Sequence, residues 1–512
     1  RYVWTSERRQ LVILDPPPPD PSPRATAVPY PTLAFLPSPA PTNMAFPKSK
    51  SMWVHFSVLS LLTIAQCGIP SVMVTVSCVL IFLWVTFSTI YYMCKKPAEA
   101  APSAPLLPSS SGEDKAPSVA PSGKKERLYY LDNLKIFLTA VVILHHQTCS
   151  FVGNGWYFNI GNYSNSFQAV GNALLAQNQS YFMCAFFFIS GYFTPTSFDR
   201  KGHFLFLRDK FKRLGIPYVT FCLVLAGLLG LIYQAGAHHD VKWEPTPNPG
   251  PLWFVGWLLV FNTAYANTDH STPTVMSCPT PSKMLLWCFF INILNWIVMI
   301  FGGGTFAYMP LTFGSLPFDV MHFYGGCIAK RNRWLESGVE GGIIEIMDKH
   351  RKKMYSTIAF FSVAMFGYSI YYQQSTPADD YDEASNTPSL IGLFVISWLF
   401  ISLMLFCQLD FFRNHFNSTG KWSKILSGAA YTAYIIHPFF VCSMTAAFVA
   451  IYEASTGETL VFEDGRTDSE TVLDSDAWLW GGWAVCTLLS VTLTFFFAYW
   501  IRELVPGAKQ II

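Results

Sequence analysis

The stretch LYYLDNLKIFLTAVVILHHQTCSFVG (residues 128–153) places Lys135 eleven positions before His146 on one apolar segment. The only other ionisable side chain between them is the adjacent His145. Eleven helical residues span roughly 16 Å, about half of the ~30 Å hydrocarbon core of a bilayer. With Lys135 at one membrane face, His146 is therefore predicted near the midplane, where an ionisable group is costly and usually functional. The alternative is that His146 only hydrogen-bonds a neighbouring helix.

The composition of the whole chain indicates a membrane protein. Of its 512 residues, 51% are hydrophobic and 13% are charged, with 44 Phe, 24 Tyr and 16 Trp. Since about a quarter of the residues of a soluble domain are charged, we predict an all-α, polytopic membrane helix bundle in a lipid bilayer. The net charge of +2 does not indicate a nucleic-acid partner. The 12 cysteines are scattered singly, so we predict neither a disulfide framework nor a metal site.

The first quarter of the chain precedes the main apolar region. Residues 1–43 are rich in Pro and contain no Met, so we expect them to be disordered and translation to begin at Met44. Residues 44–67 resemble a secretory signal peptide, or alternatively a short buried or interfacial helix. Residues 71–94 predict an extra transmembrane helix, and residues 95–125 a disordered Pro/Ala/Ser linker.

The region 126–503 contains ten apolar segments and is followed by a C-terminal tail, 504–512. These segments predict about ten core transmembrane helices, at 128–150, 172–194, 215–233, 251–266, 284–301, 305–329, 354–372, 389–408, 429–452 and 477–501. The segment 251–266 is short for a span unless Gly250-Pro251 begins it within the membrane.

The distribution of charge between the spans predicts their orientation. If the ten segments alternate, the basic loops 198–214 and 330–353 fall on one side, together with the C-terminus. The acidic loops 373–388 and 453–476 fall on the other side. Since Lys and Arg collect in cytosolic loops, the basic side and the C-terminus are predicted to be cytosolic. Lys135 then lies at the cytosolic end of its span.

Further ionisable groups lie inside the predicted spans. His437 lies about as deep as His146 if its span also begins in the cytosol, so the two histidines are predicted to share a cavity. Asp319 and His322 are three residues apart, on one helix face, and can pair as carboxylate and imidazole. The alternative is that each of these groups only bonds a neighbouring helix.

This layout suits acyl transfer across the membrane. A neutral imidazole in a dry site can take a proton from a hydroxyl, because its pKa lies near working pH. A cation at the cytosolic mouth suits an anionic, phosphorylated donor. We therefore expect a cytosolic acyl thioester and a hydroxyl acceptor to meet at His146.

Several segments also resemble a known family. Lys135 and His146 have the spacing of its signature, Arg or Lys followed by ten residues and His. Five other segments resemble its motifs in order: FFFISGYFTPTSF (186–198), FLRDKFKRLGIPYV (206–219), GPLWFVGWLLVF (250–261), FYGGCIAKRNRWLE (323–336) and AYTAYIIHPFFV (430–441). Residues 126–503 are thus similar to the acyltransferase-3 family of integral membrane acyltransferases, in particular its glucan biosynthesis protein C-like branch.

The resemblance implies an O-acyltransferase that uses acyl-CoA as co-substrate to modify a hydroxyl of a glycan, lipid or small molecule with an acetyl or succinyl type of group. It implies catalytic roles for His146 and Lys135, with His146 as general base or as the carrier of an acyl-imidazole. Arg208, Arg213 and Trp253 are expected to bind the donor; alternatively, the arginines are a positive-inside signal and Trp253 belongs to an aromatic belt. The groups expected at the acceptor or behind the site are His437, Asp319, His322 and Ser190.

Two other classes remain as alternative hypotheses. A transporter would use the buried Lys and His to bind an ion or relay protons. A catalytically inactive relative would act as a receptor or membrane scaffold. The signal-like segment predicts a eukaryotic endomembrane or plasma-membrane location, and nothing in the sequence sets an oligomeric state.

Overall fold

The structure of the chain is a computed structural model. It describes residues 2–3, 12–13, 128–152, 156–160, 166–243, 249–268, 276–301, 315–375, 403–463, 466–467, 473 and 475–511. The predictions for the signal-like segment, the extra span and the linker lie outside these residues, as does nearly all of 1–43. Within the unit Arg1–Phe46, strands β1 (Tyr2–Val3) and β2 (Val12–Ile13) pair antiparallel.

Helices make up the described part of 128–511 almost entirely, so the predicted all-α class is confirmed. In chain order they are α1 (Tyr129–Phe151), α2 (Ser166–Lys210), α3 (Ile216–Thr220), α4 (Ala226–Gly236), α5 (Trp253–Ala266), α6 (Pro281–Phe301), α7 (Leu316–Arg331), α8 (Ile343–Ser375), α9 (403–415), α10 (Lys421–Thr456), α11 (Asp476–Leu504) and α12 (Ala508–Ile511). A short hairpin of strands β3 (Phe462–Glu463) and β4 (Arg466–Thr467) follows α10.

Four helical stretches in the described residues have the length and apolar composition needed to cross a bilayer. They are Tyr129–Phe151, Ser166–Gly236, Lys421–Thr456 and Asp476–Leu504. The chain is therefore an integral membrane protein. The helix α5 has 14 residues, about 21 Å, which is less than the ~30 Å hydrocarbon core.

The stretch Ser166–Gly236 contains a sharp break at Gly202. This residue has φ 69° and ψ 172°, a backbone conformation that only glycine adopts readily. The basic segment 198–214, which we predicted as a loop, is helical on both sides of this break. The loop prediction for 330–353 was also too long, since α7 continues to Arg331 and α8 begins at Ile343. Lys and Arg are good helix formers, so these helices extend past their apolar parts.

A proline inside α2 frees a backbone carbonyl that then bonds to a neighbouring helix. Pro195 lacks an N–H, so the Gly191 carbonyl four residues earlier loses its usual helical donor. The Cys327 thiol of α7 donates to that carbonyl at 3.3 Å. The backbone group left by the proline is thus satisfied by a neighbouring helix.

Pro217, near the start of α3, has the same effect on the Arg213 carbonyl. The backbone here contains a π-helical turn, Phe211–Gly215. The Tyr431 hydroxyl of α10 donates to the Arg213 carbonyl at 2.8 Å. This bond joins the basic segment to the first turns of α10.

Contacts bring the basic segments to one end of the bundle. Arg331 forms a bidentate ion pair with Asp199, at 2.6 and 2.8 Å. Lys212 donates to Gln510 at 3.0 Å, and the Asn133 side chain donates to the backbone carbonyls of Phe416 and Ser418. This end of the bundle, which we call the basic end, includes the start of α1 and the start of α10.

Within the described part of the bundle, the backbones of α2 and α7 approach each other closely. A Cβ added at Gly191 would lie 1.9 Å from the Phe323 carbonyl oxygen, and one at Gly326 would lie 2.1 Å from the Phe188 carbonyl oxygen. Small residues let helix backbones approach closely in membranes. These two glycines therefore set the distance between α2 and α7.

We expect Gly326→Ala to destabilise the protein by roughly 2 kcal/mol or more, because the obstructing atoms are backbone. The matched control is Gly325→Ala, since a Cβ there meets nothing within 4 Å. Thermal unfolding of both variants in detergent measures the effect. Equal unfolding midpoints for the two variants would contradict the close packing.

Candidate functional site

Three aromatic rings meet where α1 and α10 pack together. The His146 ring lies 5.1 Å from the His437 ring and 4.3 Å from the Trp156 ring, between centroids, and is nearly parallel to both, at 22° and 25°. The Trp156 and His437 centroids are 6.3 Å apart, at 7°. The structure therefore brings His146 and His437 together, and their predicted sharing of a cavity stays a prediction. We call these three residues the ring cluster.

The orientation of His437 follows from the proline after it. Pro438 lacks an N–H, so the Tyr434 carbonyl loses its usual helical donor. His437 Nδ1 lies 2.7 Å from that carbonyl oxygen. Because a carbonyl can only accept, Nδ1 carries the hydrogen, and Nε2 of the neutral ring has a free lone pair.

Tyr434 connects the ring cluster to the start of α5. Its hydroxyl donates to the Pro251 carbonyl in the 3₁₀ turn Gly250–Leu252. Its ring packs 5.7 Å from the Phe254 ring. Tyr434 therefore supplies the backbone carbonyl that orients His437, and its side chain holds the start of α5 against α10.

Trp156 reaches the cluster on a segment that folds back onto the end of α1. The Ile160 N–H donates to the Ser150 carbonyl at 2.9 Å, and the Ser150 hydroxyl donates to the Trp156 carbonyl at 3.4 Å. Phe158 and Ile160 are fully buried. These contacts hold the segment 156–160 against the bundle and place the Trp156 ring on His146.

Two nitrogen atoms of the ring cluster have no protein partner among the described residues. His146 Nδ1 and His437 Nε2 are both buried and form no hydrogen bond there. His437 is fully buried and His146 is half-buried. Since a buried polar atom without a partner is costly, such atoms need an explanation, and one is a substrate that supplies the partner.

A buried polar network holds the helices around the cluster. Gln147, next to His146, donates to the Thr445 hydroxyl of α10 at 2.8 Å. The Ser490 hydroxyl of α11 donates to Gln147 Oε1 at 2.9 Å. One amide therefore joins three helices and fixes the rotation of α1 relative to α10.

Lys135 lies at the basic end, away from the ring cluster, and its predicted place at the cytosolic face stays a prediction. Its ammonium group pairs with Asp132 at 2.8 Å and lies 5.4 Å from the centroid of the Phe193 ring. The lysine side chain is 32% exposed. A partly exposed ion pair contributes about 0–1 kcal/mol, so an incoming phosphate can compete with Asp132.

The residues predicted to bind the donor lie in separate places. Arg213 is exposed, with Nε 3.8 Å from Asp209, and Arg208 is half-buried on the same basic segment. Trp253 is half-buried at the start of α5, against Phe254. Their donor-binding roles stay predictions.

Asp319 and His322 are two buried polar residues on α7. Asp319 is fully buried and accepts a hydrogen bond from the Ser315 hydroxyl at 3.0 Å. His322 Nδ1 lies 2.8 Å from the Phe318 carbonyl. Phe318 packs with the buried Cys184 and with α6, rather than with the ring cluster. The roles of Asp319 and His322 at an acceptor site stay predictions.

Ser190 is half-buried near the basic half of α2. Its backbone carbonyl accepts from the Thr194 hydroxyl at 2.9 Å. Across the described residues, no group of three or more His, Cys, Asp or Glu side chains could hold a metal ion.

The sequence analysis did not identify Trp156, Gln147 or Tyr434. Trp156 has no periodic signal because it lies outside the helices. Gln147 did have a signal, since a lone amide beside His146 in an apolar helix needs partners in the bundle. The His-Pro dipeptide 437–438 was also informative, because the proline frees the carbonyl of Tyr434.

The fold and the site together define an integral membrane helix bundle with a pair of imidazoles between two of its helices. Residues 128–503 match the family model described as an acyltransferase domain, which is the model of the acyltransferase-3 family. The chain belongs to the acyltransferase-3 family and is a membrane acyltransferase. No curated protein and no solved structure matches the chain.

The Gln147 network gives a test of how the site is held. We expect Gln147→Leu and Ser490→Ala each to lower the free energy of unfolding by about 1 kcal/mol, with a coupling of about 0.6–1.7 kcal/mol in the double variant. Thermodynamic cycles from unfolding in detergent measure this coupling. The control pair is Gln147→Leu with Thr194→Val, since Thr194 bonds Asn262 instead. Coupling of equal size in the control pair would contradict the network.

Proposed function

We propose that the protein is an O-acyltransferase that moves an acetyl or succinyl type of group from acyl-CoA to a hydroxyl of a glycan, lipid or small molecule. The observation that carries the proposal is the ring cluster, in which His146 Nδ1 and His437 Nε2 are buried and have no hydrogen-bond partner in the described part of the chain. The similarity to the glucan biosynthesis protein C-like branch, noted above from sequence motifs, suggests a glycan acceptor.

In this proposal His146 is the general base. The acceptor oxygen attacks the thioester carbonyl carbon while an imidazole nitrogen of His146 takes the hydroxyl proton. As the C–S bond breaks, the imidazolium returns that proton to the leaving sulfur, which gives free CoA and an ester. His437 stacks on His146, and its bare Nε2 can accept a hydrogen bond from the acceptor. A route through an acyl-imidazole would use the same two rings.

The donor enters from the basic end in this proposal. Lys135 lies roughly 16 Å along α1 from His146, so its ammonium group suits the phosphates of CoA while the acyl end reaches the ring cluster. Arg208 and Arg213 offer further positive charge on the same end. The basic end and the C-terminus then face the cytosol of a eukaryotic endomembrane or plasma membrane, and the acceptor enters from the other side.

His146→Ala is expected to abolish thiol release from acetyl-CoA or succinyl-CoA by the purified protein, because the hydroxyl loses its base; general-base catalysis typically contributes ~10²–10⁴-fold. The control is His415→Gln, which should retain activity within a few-fold, since the exposed His415 ring packs on Phe411 and not on the ring cluster. Normal turnover by a folded His146→Ala would contradict the assignment. Failure of wild type to bind acyl-CoA would contradict acyl-CoA as the donor.

Lys135→Ala is expected to raise the KM for the donor roughly tenfold with little change in kcat, because it removes a charge that contacts donor phosphate in both ground and transition states. Lys352→Ala, an exposed lysine on α8, is the matched control. A fall in kcat alone would contradict a donor-binding role for Lys135.

Pro438→Ala tests the orientation of His437. The new N–H competes for the Tyr434 carbonyl, so His437 Nδ1 loses its acceptor while the helix gains a bond. We expect kcat to fall roughly tenfold, the effect of about 1.4 kcal/mol, without loss of thermal stability. The control is Pro195→Ala, whose new N–H competes in the same way for the Gly191 carbonyl, the acceptor of the Cys327 thiol. It should leave kcat within about twofold. Equal effects of the two variants would contradict the proposed link.

A further inference from the structure

A groove at the basic end lies apart from the ring cluster. It has a volume of about 830 Å³ and is formed by α1, α8, α9 and the first turns of α10, with Tyr181 of α2. This volume lies within the range of ~300–1,000 Å³ typical of ligand pockets. Neither Lys135 nor His146 lines it, so the reaction proposed above does not account for it.

The walls of the groove suit a hydrocarbon chain. Four of its rings, Phe137, Phe411, Phe416 and Trp422, are 41–73% exposed, so the groove is accessible from outside the bundle. In a membrane protein, such side chains face lipid.

The groove is also long in the direction of the helices. The residues of α9 that line it lie between 404 and 412, which extends roughly 12 Å along the helix axis, a large part of one leaflet of the hydrocarbon core. A lipid tail runs in this same direction.

Gln408 is a buried polar residue in the wall of the groove. Gln408 lines it and is 7% exposed, and its Oε1 has no hydrogen bond among the described residues. The amide oxygen of this side chain accepts hydrogen bonds and its Nε2 donates them. The ester carbonyls of a glycerophospholipid can accept a hydrogen bond from Gln408 Nε2.

The mouth of the groove is positively charged. Lys421 lines it and is exposed, beside Trp422, and no Asp or Glu is among the lining residues. Lysines and tryptophans at a membrane face contact lipid head groups, and lysines favour anionic ones. We propose that this groove binds an anionic glycerophospholipid, with one tail along α1 and α9, an ester at Gln408 and the head group at Lys421.

The test uses the full chain in nanodiscs with phosphatidylserine that carries a diazirine on one acyl chain. Irradiation and peptide mass spectrometry map the labelled residues. We expect labelling within 133–137 and 404–426, at least threefold stronger than with phosphatidylcholine carrying the same diazirine chain.

Three variants connect the labelling to the groove. Lys421→Gln should reduce phosphatidylserine labelling to the phosphatidylcholine level, and Gln408→Leu should reduce labelling by both probes. Lys424→Gln, an exposed lysine one turn further on that does not line the groove, should leave labelling unchanged. Thermal unfolding checks that each variant is folded.

Several outcomes would overturn the proposal. Equal labelling by the two phospholipids that is insensitive to Lys421→Gln and Gln408→Leu would indicate bulk lipid only. Stronger labelling by a diazirine sterol than by phosphatidylserine would assign the groove to a sterol. Crosslinks between two copies of the chain at 404–426 in place of lipid would make this face a dimer contact.

Discussion

The hydrogen bond from His437 Nδ1 to the Tyr434 carbonyl is the constraint on which the site depends. It exists because Pro438 leaves that carbonyl without its usual helical donor, and it leaves Nε2 of His437 as a bare acceptor. The His437 ring stacks on the His146 ring, and each ring has one buried nitrogen without a partner among the residues that the structure describes. In a dry, low-dielectric site such atoms interact strongly with any polar group that reaches them.

The same physical rule is seen elsewhere in the bundle. Lipid offers no hydrogen bonds, so backbone groups freed by proline need partners from side chains of the same helix or of neighbouring helices. Pro195 frees the Gly191 carbonyl, which accepts a hydrogen bond from Cys327. Pro217 frees the Arg213 carbonyl, which accepts one from Tyr431. These bonds join α2 to α7 and the basic segment to α10. They hold the framework in which α1 and α10 meet.

The sequence predicted the membrane class, the helical fold and the meeting of His146 with His437, because hydropathy, charge distribution and helix spacing are local properties. It also predicted the family, which the match over residues 128–503 confirms. It did not predict Trp156, because tertiary contacts place the segment 156–160. The ends of the basic loops were misplaced because a charged segment is equally compatible with a loop and with a helix extension. The sequence analysis did not predict the ion pair of Lys135 with Asp132, although the two residues are three apart on one helix.

The most direct test of the paired imidazoles is a double-mutant cycle on kcat for acyl transfer, with His146→Ala, His437→Ala and the double variant, each checked for folding. If the two rings act as one unit, the double variant should be no slower than the slower single variant, because either change already disables the site. Two losses that simply multiply, or normal turnover by either single variant, would contradict the account.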